Sequence, residues 1–206
     1  MWRGFGGRVL LASVATLLLT AATPAGLVST RGLVQRLGRA GRVTVAFRAV
    51  TRSEGGVRAR RGTLALEPPD RVRIDFPALG ERIALRSDGG EWLQPAARQM
   101  LTLTTQHVAS TMGLWRLFLN PEEGLYAERR LTANRFRLGL AATETTLPES
   151  VTVTLAGTGL PSRIEFVSPA GDLETYEFGA WRFGPARGAA GFRLAAPRGY
   201  EVLPMP

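Results

Sequence analysis

The sequence predicts a mainly β fold of the α+β class: an unclosed antiparallel β-barrel of about ten or eleven strands that covers short helices. Apolar and polar residues alternate with a period of two along most of the chain, which is typical of strands with one buried face. Turn-forming residues interrupt this alternation at the short spacing of an antiparallel meander. The 206 residues are enough to bury the core of one domain.

Residues 1–25 have the features of a secretory signal. Arg3 and Arg8 lie in a start without acidic residues, residues 9–22 are uncharged, and small residues follow. An uncleaved membrane anchor is the alternative, but the apolar run is shorter than the roughly 20 residues that a spanning helix needs. We therefore expect export and cleavage, which leaves residues 26–206 as the mature domain.

A short helix is predicted at the start of the mature domain, over residues 27–40. Leu27, Val34 and Leu37 share one side at helical spacing. Gly32 weakens this helix because glycine has a low helix propensity.

The strands begin at residue 43, where Val43, Val45 and Phe47 share one face. Pro68-Pro69-Asp70 and the turn at residues 87–90 separate successive strands. Before a central helix, strands are predicted over residues 43–49, 57–67, 71–76, 82–86, 91–94 and 100–104. After it, strands are predicted over residues 125–131, 135–140, 151–155, 162–167, 173–178 and 192–194.

Residues 105–120 interrupt the strands with helical periodicity and a wide apolar face. Thr105 is the predicted N-cap of this helix, and Asn120 followed by Pro121 is its predicted end. The residues that define the apolar face are Val108, Met112, Trp115 and Leu119.

The composition excludes several kinds of chemistry. The chain has no cysteine, so disulfide bonds, thiol catalysis and zinc–thiolate or iron–sulfur sites are impossible. Its one histidine, His107, has no catalytic partners nearby in the sequence, and neither a nucleophile elbow nor a glycine-rich nucleotide motif occurs. We expect no catalytic residues, no metal and no cofactor.

All 26 basic residues are arginine, and the formal net charge is +9. Most of the arginines are scattered, and only Arg58, Arg60 and Arg61 form a cluster. A solvated basic surface and a site for anions are both consistent with this pattern.

The strands point to a binding function because each has one apolar and one polar face. Two short helices can cover only part of such a sheet, so the apolar side must close on itself, hold the helices or leave a cavity for an apolar ligand. Each candidate could instead be an ordinary core residue. The candidate cavity residues are Val45, Phe47, Leu64, Leu66, Val72, Ile74, Phe76, Ile83, Leu85, Trp92, Met112, Trp115, Phe118 and Leu119.

Several segments carry a resemblance to a known family by their order and spacing. These are a G-x-L strand with a Pro turn at residues 62–77, S-D-G before a tryptophan at residues 85–95, Leu117-Phe118-Leu119, residues 166–178, and the ending at residues 192–202. Together they resemble the periplasmic outer-membrane lipoprotein carrier family of the LolA/LolB type, over nearly all of the mature chain.

The resemblance implies a helical lid over a cavity for the acyl chains of lipoproteins. It also implies a monomeric carrier in the periplasm of a Gram-negative bacterium, which moves lipoproteins from the inner to the outer membrane. The implied partners are acylated lipoproteins, an inner-membrane ABC-type releasing complex and an outer-membrane acceptor. The absence of cysteine favours the carrier over the acylated receptor of the same fold.

One departure concerns the lid. The family often has an arginine before the proline of the turn, whereas this chain has Pro68, so Arg71 and Arg73 are the candidates for closing the lid. The alternative function is a periplasmic domain of the same fold that binds glycolipid or other anionic lipid, or that senses envelope stress.

Overall fold

The computed structural model describes residues 27–119, 125–141 and 147–205. Its helices are α1 (Val28–Ala40) and α2 (Thr105–Leu119). The strands before α2 are β1 (Arg42–Ser53), β2 (Gly56–Glu67), β3 (Arg71–Phe76), β4 (Glu81–Arg86), β5 (Gly89–Gln94) and β6 (Gln99–Leu103). The strands after α2 are β7 (Tyr126–Arg130), β8 (Arg135–Leu140), β9 (Ser150–Leu155), β10 (Pro161–Val167), β11 (Leu173–Phe178), β12 (Arg182–Gly184) and β13 (Glu201–Pro204).

In the described ranges, the strands form one sheet of 13 strands. Their order is β13-β6-β5-β4-β3-β2-β1-β11-β10-β9-β8-β7, and β12 pairs with the start of β1. Neighbouring strands are antiparallel except β13, which runs parallel to β6. The sheet does not close on itself, because β7 and β13 remain its two edges. The predicted mainly β fold with an unclosed antiparallel sheet is therefore confirmed, with 13 strands in the described ranges where about ten or eleven were expected.

The structure corrects the prediction in the C-terminal part of the chain. Residues 192–194 are not a strand: Ala189–Phe192 is a 3-10 turn, and its last side chain is buried. Two strands, β12 and β13, were not predicted as such. β12 has only three residues, and the residues of β13 are exposed or half-buried, so neither has the alternation that identifies a strand.

Both predicted helices are present, but the N-cap of α2 lies one residue earlier than predicted. The Thr104 hydroxyl accepts a hydrogen bond from the backbone N–H of His107 at 3.5 Å, so Thr104 and not Thr105 caps the helix. The predicted end at Asn120-Pro121 lies outside the described residues. Within these residues, neither helix has the length and hydrophobicity that crossing a bilayer requires.

The first helix is held by contacts that are distant in sequence. The carboxylate of Glu128 on β7 accepts hydrogen bonds from the backbone N–H groups of Val28 and Ser29, at 3.0 and 2.8 Å. Leu27, at the N-cap position, has no side-chain acceptor, so Glu128 satisfies these donors and places a negative charge at the positive end of the helix. α1 is therefore tied to an edge strand of the sheet.

Gly32 has a packing role that outweighs its low helix propensity. A Cβ atom at this position would lie 2.8 Å from the carbonyl oxygen of Gly159, in the turn between β9 and β10. The missing side chain lets α1 approach the backbone of that turn. The fully buried Leu33 and the almost fully buried Leu37 then pack against the sheet.

Candidate apolar binding site

One face of the sheet, here called the inner face, packs against α1 and α2. In β3, for example, Val72, Ile74 and Phe76 are buried, whereas the residues between them are half-buried. All of the cavity residues predicted from the sequence belong to one apolar cluster between the inner face and the two helices. Most of them are buried, and Ile83, Trp92 and Leu119 are partly exposed at its margin.

Aromatic side chains connect α2 to the middle of the inner face. The ring of Tyr176 on β11 lies 5.5 Å from that of Trp115 on α2 and 5.7 Å from that of Phe47 on β1, measured between centroids. Phe166 stacks on Tyr176 at 6.1 Å. The sequence analysis did not include Tyr176 or Phe166 among the cavity residues, although both lie at apolar positions of predicted strands.

The hydroxyl of Tyr176 donates a hydrogen bond to the carboxylate of Glu174 at 3.1 Å. Burial, followed by the negative charge and hydrogen bond of Glu174, raises the pKa of Tyr176 above its ordinary value. The phenol therefore stays neutral at physiological pH. It adds a polar end to the aromatic cluster without adding a charge.

Gly62 explains why a G-x-L pattern occurs in β2. A Cβ atom there would lie 2.6 Å from the ring of Phe47 and 2.8 Å from the carbonyl oxygen of Asp75. The Phe47 ring therefore lies over the glycine and makes an edge-to-face contact with Phe76 at 5.8 Å. This glycine makes room for an aromatic side chain of the inner face.

An apolar cavity of about 260 Å³ lies between α2 and the turns that join β2 to β3 and β4 to β5. One side of α2 forms much of its wall, and a hydrogen bond from the backbone N–H of Ser87 to Asp70, at 3.0 Å, joins the two turns at its margin. Met112 and Leu119 were predicted for this role. The lining residues are Pro69, Asp70, Ser87, Thr105, Val108, Met112, Arg116 and Leu119.

Two glycines make room for side chains packed around α2. A Cβ atom at Gly90 of β5 would be 2.7 Å from the carbonyl oxygen of Ala84 and 3.0 Å from the side chain of Leu85, both on β4, and 3.3 Å from Val108 on α2. This glycine therefore makes room first for the neighbouring strand and then for the start of α2. A Cβ atom at Gly113, within α2, would collide with the side chain of Leu147. Leu147 is almost fully buried and fills the space that Gly113 leaves.

Arg71 and Arg73 do not lie where the lid hypothesis placed them. Because they alternate with Val72 and Ile74, their side chains extend from the outer face, opposite the helices. Arg71 pairs with Glu67 at 2.7 Å, and Arg73 bonds Asp75 at 3.1 Å and the carbonyl oxygen of Gly191 at 3.3 Å. These arginines bind the strands and the C-terminal segment instead of the lid.

The C-terminal segment, residues 185–200, is attached to the outer face by buried charges that the sequence analysis missed. The carboxylate of Glu67, 1% exposed, accepts hydrogen bonds from the backbone N–H groups of Arg187 and Gly188 at 2.7 and 2.9 Å. Arg86 donates to the carbonyl oxygen of Phe192 at 2.6 Å and pairs with Glu91 at 2.8 Å. The hydrogen bond to Glu91 raises the pKa of Arg86.

Five buried side-chain polar atoms have no hydrogen-bond partner among the described residues, and two of them belong to α1 and to the inner face, although neither of these two residues lines the cavity. These two are the hydroxyl of Ser29 on α1 and the indole N–H of Trp92 on β5, and both atoms are buried. His107, by contrast, bonds the Thr104 hydroxyl through its Nδ1 atom at 2.9 Å. The described part of the chain contains no group of three or more acidic or histidine side chains that could hold a metal ion.

The fold and the site together define a protein with a one-sided antiparallel sheet, two helices on its apolar face and an apolar cavity beside α2. The chain matches no protein-family model and no curated protein sequence. Solved structures are similar to it in fold. An uncharacterized conserved protein from Thermus thermophilus is 12% identical with a TM-score of 0.49, and the match covers 86% of this chain and 99% of that one.

Two further structures bear on the resemblance found in the sequence. A LolA superfamily protein from Nitrosomonas europaea is 10% identical with a TM-score of 0.42, over 80% of this chain and 97% of that one. The MucA/MucB complex of Pseudomonas aeruginosa matches at 15% identity and a TM-score of 0.40, over 82% of this chain and 61% of that one. The solved structures to which the chain is similar thus include a LolA superfamily protein.

Proposed function

We propose that this protein is an exported carrier that holds acyl chains between the inner face of its sheet and α2. The observation that carries the proposal is the continuous apolar cluster, which ends at an apolar cavity beside a single helix. Burial of an acyl chain contributes about 0.8 kcal/mol per methylene group, so a carrier needs an extended apolar surface that can be uncovered reversibly.

The cavity in its present form is too small for a whole lipid chain. An apolar cavity of about 150 Å³ holds benzene, so 260 Å³ accommodates roughly ten carbon atoms by the same ratio. We propose that α2 moves outward as a lid to admit longer chains. Trp115 and Phe118 then leave their aromatic contacts with Tyr176 and Trp181, and the cargo takes their place.

The unpartnered polar atoms support the same function. The indole N–H of Trp92 is a hydrogen-bond donor, and the Ser29 hydroxyl can both donate and accept. An ester or amide carbonyl next to an acyl chain would satisfy either donor, whereas a pure hydrocarbon would not. Neither residue lines the cavity beside α2, so these donors favour an acylated cargo with carbonyl groups only where the cargo extends beyond that cavity once α2 has moved.

The proposed cargo is a lipoprotein that is carried from the inner to the outer membrane through the periplasm. The proposed partners are an ABC-type releasing complex in the inner membrane and an acceptor in the outer membrane. The alternative role is to bind glycolipid or another anionic lipid, with or without stress sensing. Arg58 and Arg61 favour this role because they are exposed and have no ion pair among the described residues.

The test is binding of a fluorescent fatty acid to the Met112→Glu variant. Met112 is 5% exposed and lines the cavity, so a carboxylate there puts a charge in the path of the chain and should weaken binding by more than about tenfold. Leu119→Glu repeats the test at a partly exposed position of the same wall. Val202→Glu, at an exposed valine of β13, is the matched control and should bind normally. Unchanged binding by both cavity variants would refute the proposed site.

A further inference from the structure

A row of exposed side chains crosses four neighbouring strands at one end of the outer face. Val167 on β10 pairs with Leu173 on β11, Leu173 pairs with Arg52 on β1, and Arg52 pairs with Val57 on β2. Directly paired residues extend from the same face of a sheet, so these four side chains form a continuous row, here called the end row. Its apolar side chains are exposed to solvent: Val57 is 67%, Val167 54% and Leu173 39% exposed.

Arginines without ion pairs lie at this end of the sheet. Arg52 belongs to the end row and Arg61 extends from the same outer face, whereas Arg58, the residue after Val57, extends from the inner face at the tip of β2; all three are exposed and form no ion pair within the described ranges. The guanidinium of Arg60, on the same side as Arg58, lies over the ring of Phe76 at 5.2 Å. Deeper on the outer face, arginines and glutamates pair across the strands, as Arg48 and Arg163 do with Glu177. The end of the sheet therefore keeps unpaired positive charge that the middle of the sheet does not.

On the side away from β1, the β2 strand has no paired neighbour at this end. Its pairing with β3 reaches only Thr63, so residues 56–62 form an open edge beside the β3–β4 turn. That turn adds a further exposed apolar side chain, Leu79, which is 49% exposed. Apolar side chains at the tip of the sheet can enter the headgroup region of a bilayer, while the arginines bind its phosphates.

We propose that the end row and the arginines around it form a docking surface for a membrane that contains anionic lipids. Charge complementarity selects this occupant over a second copy of the chain, because self-association through this surface would bring unpaired arginines against one another. This proposal does not depend on the proposed binding of acyl chains, because Arg52, Arg58 and Arg61 neither belong to the apolar cluster nor line the cavity.

Vesicle binding tests this inference with protein purified from the exported fraction. The protein should bind vesicles of phosphatidylcholine mixed with phosphatidylglycerol, should bind pure phosphatidylcholine weakly, and should be released by salt. Replacing Arg52, Arg58 and Arg61 by serine should lower the partition coefficient by about a hundredfold, because each arginine near the surface contributes roughly fivefold. The same three positions changed to lysine should retain binding.

The matched control changes three exposed arginines elsewhere, Arg39, Arg129 and Arg198, to serine and removes the same charge. This control variant should keep nearly full vesicle binding. The variant with serine at positions 52, 58 and 61 should keep normal fatty-acid binding in solution and a normal urea midpoint. An equal loss of vesicle binding in the control variant would contradict the proposed surface, because net charge alone would then attract the protein to the vesicles. No binding of the unaltered protein to anionic vesicles at low salt would overturn the inference, whatever the fatty-acid result.

Discussion

Truncation of Leu147 tests whether α2 acts as a lid. The Leu147 side chain is 3% exposed and fills the space above Gly113 on α2. Leu→Ala changes in a core cost roughly 2–5 kcal/mol of stability. α2 packs mainly on α1, β4, β5 and β6, and Leu147 adds a contact on another side of the helix. Leu147→Ala should therefore destabilise the closed form more than a form in which α2 has moved away.

The expected size of the effect follows from this difference. If about 2 kcal/mol is lost from the closed form alone, the ratio of open to closed molecules rises about thirtyfold. When access to the cavity requires opening, the association rate of a fatty acid rises by up to the same factor. Stopped-flow fluorescence with a fluorescent fatty acid measures that rate directly.

The control for Leu147→Ala is Leu138→Ala on β8, where an equally buried leucine lies in the sheet itself. Both variants should lower the urea midpoint, but only Leu147→Ala should accelerate association. A Leu147→Ala protein that is destabilised yet binds the fatty acid at the normal rate would refute the lid, because the closed form would then not limit access.

Two other predictions concern α1 and the aromatic cluster. Gly32→Ala should destabilise the protein by about 1–3 kcal/mol in urea unfolding, because the new Cβ would meet the backbone of Gly159. The control, Gly38→Ala, has open space around its Cβ and should stabilise the protein by up to about 1 kcal/mol. Equal effects of the two substitutions would contradict the close approach of α1 to the turn that contains Gly159. The pKa of Tyr176 is raised above its unfolded value, so its neutral form adds stability that is complete below about pH 10 and is lost as the pH rises towards the folded pKa. Tyr176→Phe should flatten this alkaline loss in urea midpoints measured against pH, and an unchanged slope would contradict it.

Alternation with a period of two was a sufficient signal for most of the sheet. Val72, Ile74 and Phe76 lie on the inner face as expected, and the same alternation places Arg71 and Arg73 on the opposite face. The lid hypothesis for these two arginines followed the family pattern, while the local periodicity already pointed away from it. Periodicity is the stronger guide here because it fixes which face a side chain occupies.

The contacts that hold α1 and the C-terminal segment could not be predicted in the same way. Glu128 caps α1 from a strand 100 residues away, and Glu67 binds the backbone of Arg187 across 120 residues. Such pairs depend on how distant elements meet, and a carboxylate at a strand position carries no local sign of its partner. Gly32 is likewise unfavourable to a helix by its propensity alone, and the reason for its presence is the backbone of Gly159, which is distant in sequence.

In the candidate site, too, some features follow from local sequence patterns and others depend on contacts between distant segments. The apolar cluster was predictable, since each inner-face residue repeats at strand or helix spacing. The position of the cavity was not, because it depends on Pro69, Asp70 and Ser87, turn residues that come together only when the β2–β3 and β4–β5 turns meet α2. Whether the predicted cavity residues contact a ligand stays a prediction.

The central claim is that this apolar cluster carries an acylated cargo. Native mass spectrometry of protein purified from the exported fraction, followed by lipid extraction, tests it most directly. The account predicts bound acylated peptide or lipoprotein, and loss of that cargo in Met112→Glu. Lipopolysaccharide or phospholipid in its place would support the alternative role in binding anionic lipid. A protein that stays empty even when it is offered lipoprotein would contradict the claim and reduce the cluster to an ordinary core.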